Sequence, residues 1–220
     1  MNIMAESFKD RLRQLGKTLK YSLYVIFHPF DGFWDLIHEK RGSMGAAHTI
    51  IILVVLTQIW TWTYSAFPYY LPQWEYFNLF MRVLPTVVLF IIWCIANWCL
   101  TTLMDGKGKF NHIYMATAYA FTPYVLINLP LILLTYVLTY EESTYYTVFN
   151  NISIIWCVIL VLAAMMMIHD YTFGKAVVSS LLTIVAMLVI IFLIVMFFSL
   201  ITQSVGYFVA LYKEATFRLY

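Results

Sequence analysis

The chain has 220 residues, of which 63% are hydrophobic, 19% aromatic and only 11% charged. A soluble domain carries about 25% charged residues because its surface faces water. This composition therefore predicts an integral membrane protein and excludes a nucleic-acid-binding module, a disordered tail and a secreted disulfide scaffold. The net charge of +2 is too small to indicate a polyanionic partner.

The N-terminal segment, residues 1–41, carries seven of the 13 Lys and Arg residues. Its apolar residues recur at steps of three and four, which predicts an amphipathic helix in the membrane interface. Arg11, Arg13 and Lys17 lie on its polar faces and are candidates for contact with anionic lipid headgroups or a partner. The segment either anchors the protein and fixes its orientation or senses lipid composition or curvature.

A break in this amphipathic pattern is predicted at His28-Pro29-Phe30, because proline ends a preceding helix. Asp31 is expected to cap a second, short helix. Three residues of that helix are expected at the membrane surface: Phe33, Trp34 and Ile37.

Five long apolar intervals follow in residues 42–220, and each is long enough to cross a bilayer core of about 30 Å as a helix. The predicted spans are residues 46–67, 83–104, 113–138, 152–169 and 176–202. The fold class is therefore all-α, a polytopic membrane protein with five transmembrane helices after an amphipathic segment.

The positions of Lys and Arg predict the orientation, since cytoplasmic segments are enriched in them. Ten of the 13 lie in the N-terminal segment and in the second and fourth loops, and three lie on the other side. We expect the N-terminus in the cytoplasm and the C-terminus outside. The aromatic stretch at 68–82 is then an outer loop.

The spans contain no Asp, Glu, Lys or Arg, which weighs against a proton-coupled transporter and an intramembrane aspartic protease. Asn97 and Asn128 are expected to form interhelical hydrogen bonds. Pro123 and Pro130 predict a kink in the third span, either a simple bend or a break that exposes backbone to a ligand. We expect no catalytic residue, no metal site and no cofactor.

The loop Asp105-Gly106-Lys107-Gly108-Lys109 lacks the spacing of a phosphate-binding P-loop and predicts a tight turn between antiparallel helices. His169 and Asp170 are expected to form a capped helix end rather than a catalytic pair. Residues of these two loops are candidates for contact with a partner or lipid: Asp105, Gly106, Lys107, Lys109, His169, Asp170 and Lys175.

Residues from about 25 to 210 resemble the Yip (Ypt-interacting protein) domain family, and its bacterial branch in particular. The resemblance rests on five spans after a basic amphipathic segment and on four sequence motifs. These motifs are His28-Pro29-Phe30, the loop at 105–110 running into Ile113-Tyr114-Met115-Ala116-Thr117-Ala118-Tyr119-Ala120, Thr122-Pro123-Tyr124, and His169-Asp170-Tyr171-Thr172-Phe173-Gly174-Lys175.

The resemblance implies a five-span helical fold with a cytoplasmic N-terminus. Eukaryotic members are linked to vesicle trafficking through small GTPases and to self-association, but this chain lacks their long acidic cytoplasmic region. Bacterial relatives often accompany transport systems, including sugar-uptake ABC permeases, which implies an accessory role.

We therefore expect a non-enzymatic scaffold or accessory subunit in the bacterial cytoplasmic membrane, in contact with the lipid bilayer. Its partner is expected to be another integral membrane protein, such as an ABC permease subunit, or a second copy of the chain; no nucleic acid is expected. Two alternatives stay open, a membrane-shaping protein acting through its amphipathic segment and a small transporter or channel using the bent third span.

Overall fold

A computed structural model describes residues 2–65, 79–101 and 103–219, and within these it leaves out the side chains of 2–12, 79, 82, 140, 215, 218 and 219. The aromatic stretch at 68–78 and the side chain of Arg11 thus lie outside the described residues. The described part of the chain is helical and contains no strand. The predicted all-α class is confirmed.

The described residues form eight α-helices. They are α1 (Asn2–Phe27), α2 (Pro29–His38), α3 (Met44–Tyr64), α4 (Leu79–Thr101), α5 (Phe110–Ala120), α6 (Thr122–Leu134), α7 (Ser143–His169) and α8 (Phe173–Leu219). Among these residues, five stretches are long and apolar enough to cross a membrane: α3, most of α4, α5 with α6, α7, and Phe173–Glu214 of α8. The prediction of five helices long and apolar enough to span a membrane is confirmed.

Two helices are longer than the sequence reading predicted. α7 begins at Ser143 rather than near 152, directly after Glu141 and Glu142. Acidic side chains favour a helix N-terminus because they face the positive end of its dipole, so the helix can start among polar residues. α8 continues to Leu219 rather than ending near 202. The added stretch has no proline to end the helix, and a single glycine, Gly206, is tolerated within it.

The predicted break after α1 is confirmed: α1 ends at Phe27 and Pro29 begins α2. The capping residue is different from the one expected. His28 occupies the N-cap position, and Asp31 lies in the first turn. Proline at the first helical position brings a fixed φ and lacks only an N–H that would be unpaired there, so the helix starts three residues earlier than expected.

The N-terminal helices pack on the membrane bundle as well as on each other. α1 contacts α3 and α5, and α2 contacts α7. The prediction that Phe33 lies at the membrane surface is wrong, because Phe33 is fully buried together with Val25 and Leu36. The apolar side chains of this segment that stay exposed form a second set: Leu23, Phe27, Phe30 and Trp34.

The third span is interrupted between α5 and α6, at Phe121. Pro123 follows in the first turn of α6, where it removes one backbone donor. The two halves have different neighbours: α5 packs against α3, α4 and α7, whereas α6 packs mainly against α3 and α7. The break therefore separates the second half of this span from α4.

Candidate functional site

Two connections, separated by about 60 residues in sequence, meet at one end of the bundle. The first is the α4–α5 loop (residues 103–109) and the second is the α7–α8 connection with the last residue of α7 (residues 169–172); we call them together the loop clamp. The backbone N–H of Gly108 donates to Nδ1 of His169 at 3.2 Å. The hydroxyl of Tyr171 donates to the carbonyl of Met104, also at 3.2 Å.

The two glycines of the loop are required by this close approach. A Cβ atom on Gly106 would lie 2.6 Å from both His169 Nδ1 and the Tyr171 hydroxyl oxygen. A Cβ atom on Gly108 would lie 2.5 Å from the His169 ring and from Ile168. Neither glycine has a positive φ, so the reason for glycine is space rather than backbone conformation.

A buried chain of hydrogen bonds continues from the loop clamp into the bundle. His169 Nε2 lies 3.0 Å from Asn97 Oδ1, and Asn97 Nδ2 donates to Thr183 Oγ1 at 3.2 Å. Thr183 donates in turn to the carbonyl of Ser179 at 2.8 Å. The chain joins α4, α7 and α8, and the side chains of Asn97, His169 and Thr183 are at most 2% exposed.

The geometry fixes the direction of each bond in this chain. His169 Nδ1 accepts from a backbone N–H, so the proton of the neutral ring is on Nε2. Nε2 therefore donates to the Asn97 carbonyl oxygen, which leaves the Asn97 amide to donate to Thr183. Every polar atom of the histidine ring is paired, which matters because the ring is buried in the protein and an unpaired buried polar group is costly.

The end of α7 is capped by backbone geometry. Asp170 adopts the left-handed conformation (φ 54°, ψ 42°), and the Tyr171 N–H donates to the Met166 carbonyl at 3.0 Å. The Asp170 carboxylate accepts from Lys107 Nζ at 2.8 Å. This ion pair is largely exposed, so its contribution to stability is small.

Tyr171 connects the capped end to the histidine. Its ring stacks on His169 with centroids 5.0 Å apart. Lys175, on α8, places its Nζ 4.6 Å from the centroid of the Tyr171 ring. Burial raises the pKa of the Tyr171 phenol above its usual value, and the nearby Asp105 carboxylate adds to the shift. The hydroxyl thus stays protonated and keeps its role as a donor to Met104.

Polar contacts within the loop clamp join helices to one another. Both nitrogens of His169 are engaged, and Asp170 is paired with Lys107. In the part of the chain that the structure describes, no group of three or more His, Cys, Asp or Glu side chains is arranged to hold a metal ion. Lys107 and Lys109 are exposed and form the basic surface of the loop clamp.

The remaining candidate residues lie elsewhere. Asn128 donates to Ser153 on α7 and to the Tyr124 carbonyl, each at 2.9 Å, and so joins α6 to α7. Pro130 lies inside α6. Arg13 and Lys17 are exposed on α1, and among the described side chains no ion pair or hydrogen bond links them to the loop clamp.

Sequence reasoning missed Thr183 and Tyr171 as members of this site. The signal for Thr183 was present, since Ser179, Ser180 and Thr183 are the polar residues in the first half of an otherwise apolar helix. Polar residues in spans mark helix contacts. Tyr171 carried no such signal, because aromatic residues are common at membrane interfaces.

A family model described as the Yip1 domain matches residues 23–210 of the chain. The match covers both segments of the loop clamp, the α4–α5 loop and the end of α7. No curated protein and no solved structure matches the chain.

Replacing Gly106 by Ala should lower the free energy of unfolding by about 1–3 kcal/mol, the usual effect of overpacking, because the new methyl group meets His169 and Tyr171. The matched control is Gly174→Ala, since no atom lies within 4 Å of a Cβ there. Thermal unfolding in detergent, followed by tryptophan fluorescence, compares the two variants. Equal melting temperatures would contradict the packing described for the loop clamp.

Proposed function

The chain belongs to the Yip1 domain family, and we propose that it is a non-enzymatic membrane scaffold that binds another integral membrane protein through its last helix. The observation that carries the proposal is the unpartnered length of α8. The hydrogen bonds of His169 support the non-enzymatic part, because both ring nitrogens are engaged and neither is available as an acid or base.

The length of α8 exceeds what a membrane crossing needs. With 47 residues it is about 70 Å long, whereas α7, with 27 residues, is about 40 Å long. A bilayer core is about 30 Å thick. If α8 runs antiparallel to α7 from their shared connection, it passes the far end of α7 near residue 200.

Among the described residues, α8 packs against α4 and α7, and its buried side chains all lie between Ala176 and Thr183. Every described side chain from Phe192 to Glu214 is exposed. Lipid can cover the portion inside the bilayer, but the portion past residue 200 is also apolar. Its large apolar side chains are Leu200, Ile201, Val205, Tyr207, Phe208, Val209, Leu211 and Tyr212.

An apolar surface of this size is unfavourable in water by roughly 25 cal/mol for each Å² exposed. A partner helix that continues past the membrane surface would cover it. The family resemblance suggests the class of partner that we propose, the permease subunits of a solute importer of the ABC type, and no geometric observation bears on that choice. A second copy of the chain is the other partner compatible with an exposed apolar helix.

A second candidate function is direct action on the bilayer through the N-terminal segment. The observation that favours it is the exposed apolar set Leu23, Phe27, Phe30 and Trp34, with the exposed basic residue Lys20 nearby in sequence. The other faces of α1 and α2 are used for packing on the bundle. This candidate predicts that the protein acts without a protein partner.

Replacing Phe208 and Leu211 together by Ala should reduce the recovery of the partner protein at least tenfold, because buried aromatic and aliphatic anchors carry most of an interface's affinity. The measurement is purification of the tagged protein from its own membranes in mild detergent, with quantitative mass spectrometry of stoichiometric partners. The matched control is Ile155→Ala with Ile159→Ala, two exposed apolar residues of α7.

Two results would contradict the scaffold proposal. One is a wild-type protein that purifies alone and monomeric, which would favour the bilayer-acting candidate. The other is equal loss of partner in the α7 control, since that would assign the interface to lipid-facing residues in general.

We also propose that the loop clamp and the N-terminus face the cytoplasm and that the C-terminus lies outside. The support is the distribution of the 13 Lys and Arg residues, ten of which lie on the side assigned to the cytoplasm. Fusion of a fluorescent protein to the N-terminus and of alkaline phosphatase to the C-terminus should give two active reporters, since each works only on its own side. An inactive phosphatase on an inserted protein would contradict the orientation.

A further inference from the structure

A cavity lies beside the break in the third span and opens to the surface of the bundle, since Val158 and Leu181 in its wall are more than half exposed. The cavity has a volume of about 780 Å³ and is lined by residues of α3 to α8. Phe121 and Tyr124, at the break itself, form part of its wall. Since α5 packs against α4 but α6 packs mainly against α3 and α7, the space lies where α6 has left α4. Its volume falls in the range of ligand pockets, roughly 300–1,000 Å³.

Three polar side chains in the wall of this cavity have no hydrogen-bond partner. They are the only buried side-chain polar atoms without a partner among the described residues: Trp93 Nε1, Thr117 Oγ1 and Ser180 Oγ. The side chains of Thr117 and Ser180 are 2% and 8% exposed. Buried polar groups are almost always paired, and a bilayer offers no water as a substitute.

The two hydroxyl groups differ from the other hydroxyl groups of the spans. Thr57, Ser153 and Thr183 each donate to a backbone carbonyl three or four residues earlier in their own helix. That bond is available to any serine or threonine in a helix. Thr117 and Ser180 do not make it: the Thr117 hydroxyl has only the Cys94 thiol, a weak partner, nearby, and the Ser180 hydroxyl is unpaired. The cavity wall therefore carries polar groups from three different helices that lack a strong partner.

These three groups lie at about the same depth. Trp93 is eight residues before the end of α4, Thr117 is seven residues after the start of α5, and Ser180 is seven residues after the start of α8. At 1.5 Å per residue, each is about 10–12 Å from the end of the bundle that carries the loop clamp. If the ends of these helices lie at the outer edge of the headgroup layer, which is about 5–7 Å thick, the three groups lie just inside the hydrocarbon core, near the level of lipid ester groups.

The rest of the wall is mainly apolar; its other polar residues are Asn150, Tyr124 and the pair Thr86 and Gln58 at greater depth. The Thr86 hydroxyl donates to Gln58 Oε1 at 2.7 Å, so these groups already have partners. A ligand that fits this wall has a long apolar body and one oxygen acceptor near one end. An acceptor is needed because the indole N–H of Trp93 can only donate.

We propose that the cavity binds a glycerolipid of the surrounding bilayer. Its ester carbonyl oxygens accept hydrogen bonds from Trp93, Thr117 and Ser180, and its acyl chain fills the space between α6 and α4. This inference does not depend on the proposed partner of α8, because the exposed half of α8 begins at Phe192, beyond every α8 residue of the cavity wall.

The test compares lipid binding by variants of the full chain in detergent. Protein stripped of lipid is titrated with dioleoyl phosphatidylglycerol, and bound lipid is counted by native mass spectrometry while the melting temperature is recorded. Trp93→Phe with Ser180→Ala should weaken binding at least tenfold and abolish the rise in melting temperature. The matched control on the same two helices is Trp98→Phe with Ser204→Ala, since Trp98 is exposed and the Ser204 hydroxyl is already paired.

A second variant tests whether the cavity volume is needed for binding, and a second lipid tests whether the hydrogen bonds to the ester carbonyl are needed. Val177→Phe places a larger side chain in the cavity wall and should also lose the lipid, while the polar groups stay in place. An ether-linked lipid with the same chains and headgroup should bind at least fivefold more weakly to the wild type, because it lacks the ester carbonyl. Circular dichroism and gel filtration show that each variant is folded.

Three outcomes would overturn the proposal. The first is a wild-type protein that binds the ester lipid no better than the Trp93→Phe, Ser180→Ala variant. The second is equal binding of the ester and ether lipids. The third is a wild-type dimer that becomes monomeric with Val177→Phe, since this would mean that a second copy of the chain occupies the cavity.

Discussion

One buried hydrogen-bond chain at the end of the bundle is decisive for this fold. Gly108, His169, Asn97 and Thr183 form a single run of donors and acceptors that joins the α4–α5 loop to α4, α7 and α8. The side chains of Asn97, His169 and Thr183 are at most 2% exposed, so solvent does not reach them to replace a lost partner. Breaking one bond would leave buried polar groups unpaired, and the run of bonds therefore holds the three helices and the loop together.

The position of these hydrogen bonds, at one end of the bundle, explains other features of the architecture. It fixes the start of α8 beside the ends of α4 and α7, so that α8 packs in its first part and runs free afterwards. At the other side of the bundle centre, the break at Phe121 lets α6 follow α3 and α7 rather than α4, and Asn128 secures it to α7. The exposed second half of α8 follows from the hydrogen bonds at its start, and the cavity follows from the break between α5 and α6.

The sequence predicts the parts of this structure that depend on local pattern. Charge-free intervals predict the five spans, proline predicts the breaks near Pro29 and Pro123, and isolated asparagines predict polar helix contacts. The parts it does not predict depend on tertiary contact. The burial of Phe33 requires α2 to meet α7. The end of α8 is hard to predict because no proline lies between residues 203 and 219 to end the helix.

The loop clamp shows the same limit at the candidate site. The glycines at 106 and 108 are consistent with a turn when read alone, and their actual role depends on a histidine 61 residues after Gly108. His169 and Asp170 are consistent with a capped helix end, which the backbone of Asp170 supplies. Their contacts with the α4–α5 loop join residues about 60 apart in sequence, and a local sequence pattern does not predict such contacts.

The most direct test of the account is a double-mutant cycle between Asn97 and His169. The free energy of unfolding in detergent micelles is measured for Asn97→Ala, His169→Ala and the double variant, with Asn128→Ala and His169→Ala as the uncoupled reference pair. The account predicts a coupling energy of about 0.5–3 kcal/mol for Asn97 with His169 and additivity within about 0.5 kcal/mol for the reference pair. Additive effects for Asn97 and His169 would contradict the claim that their hydrogen bond holds the end of the bundle together.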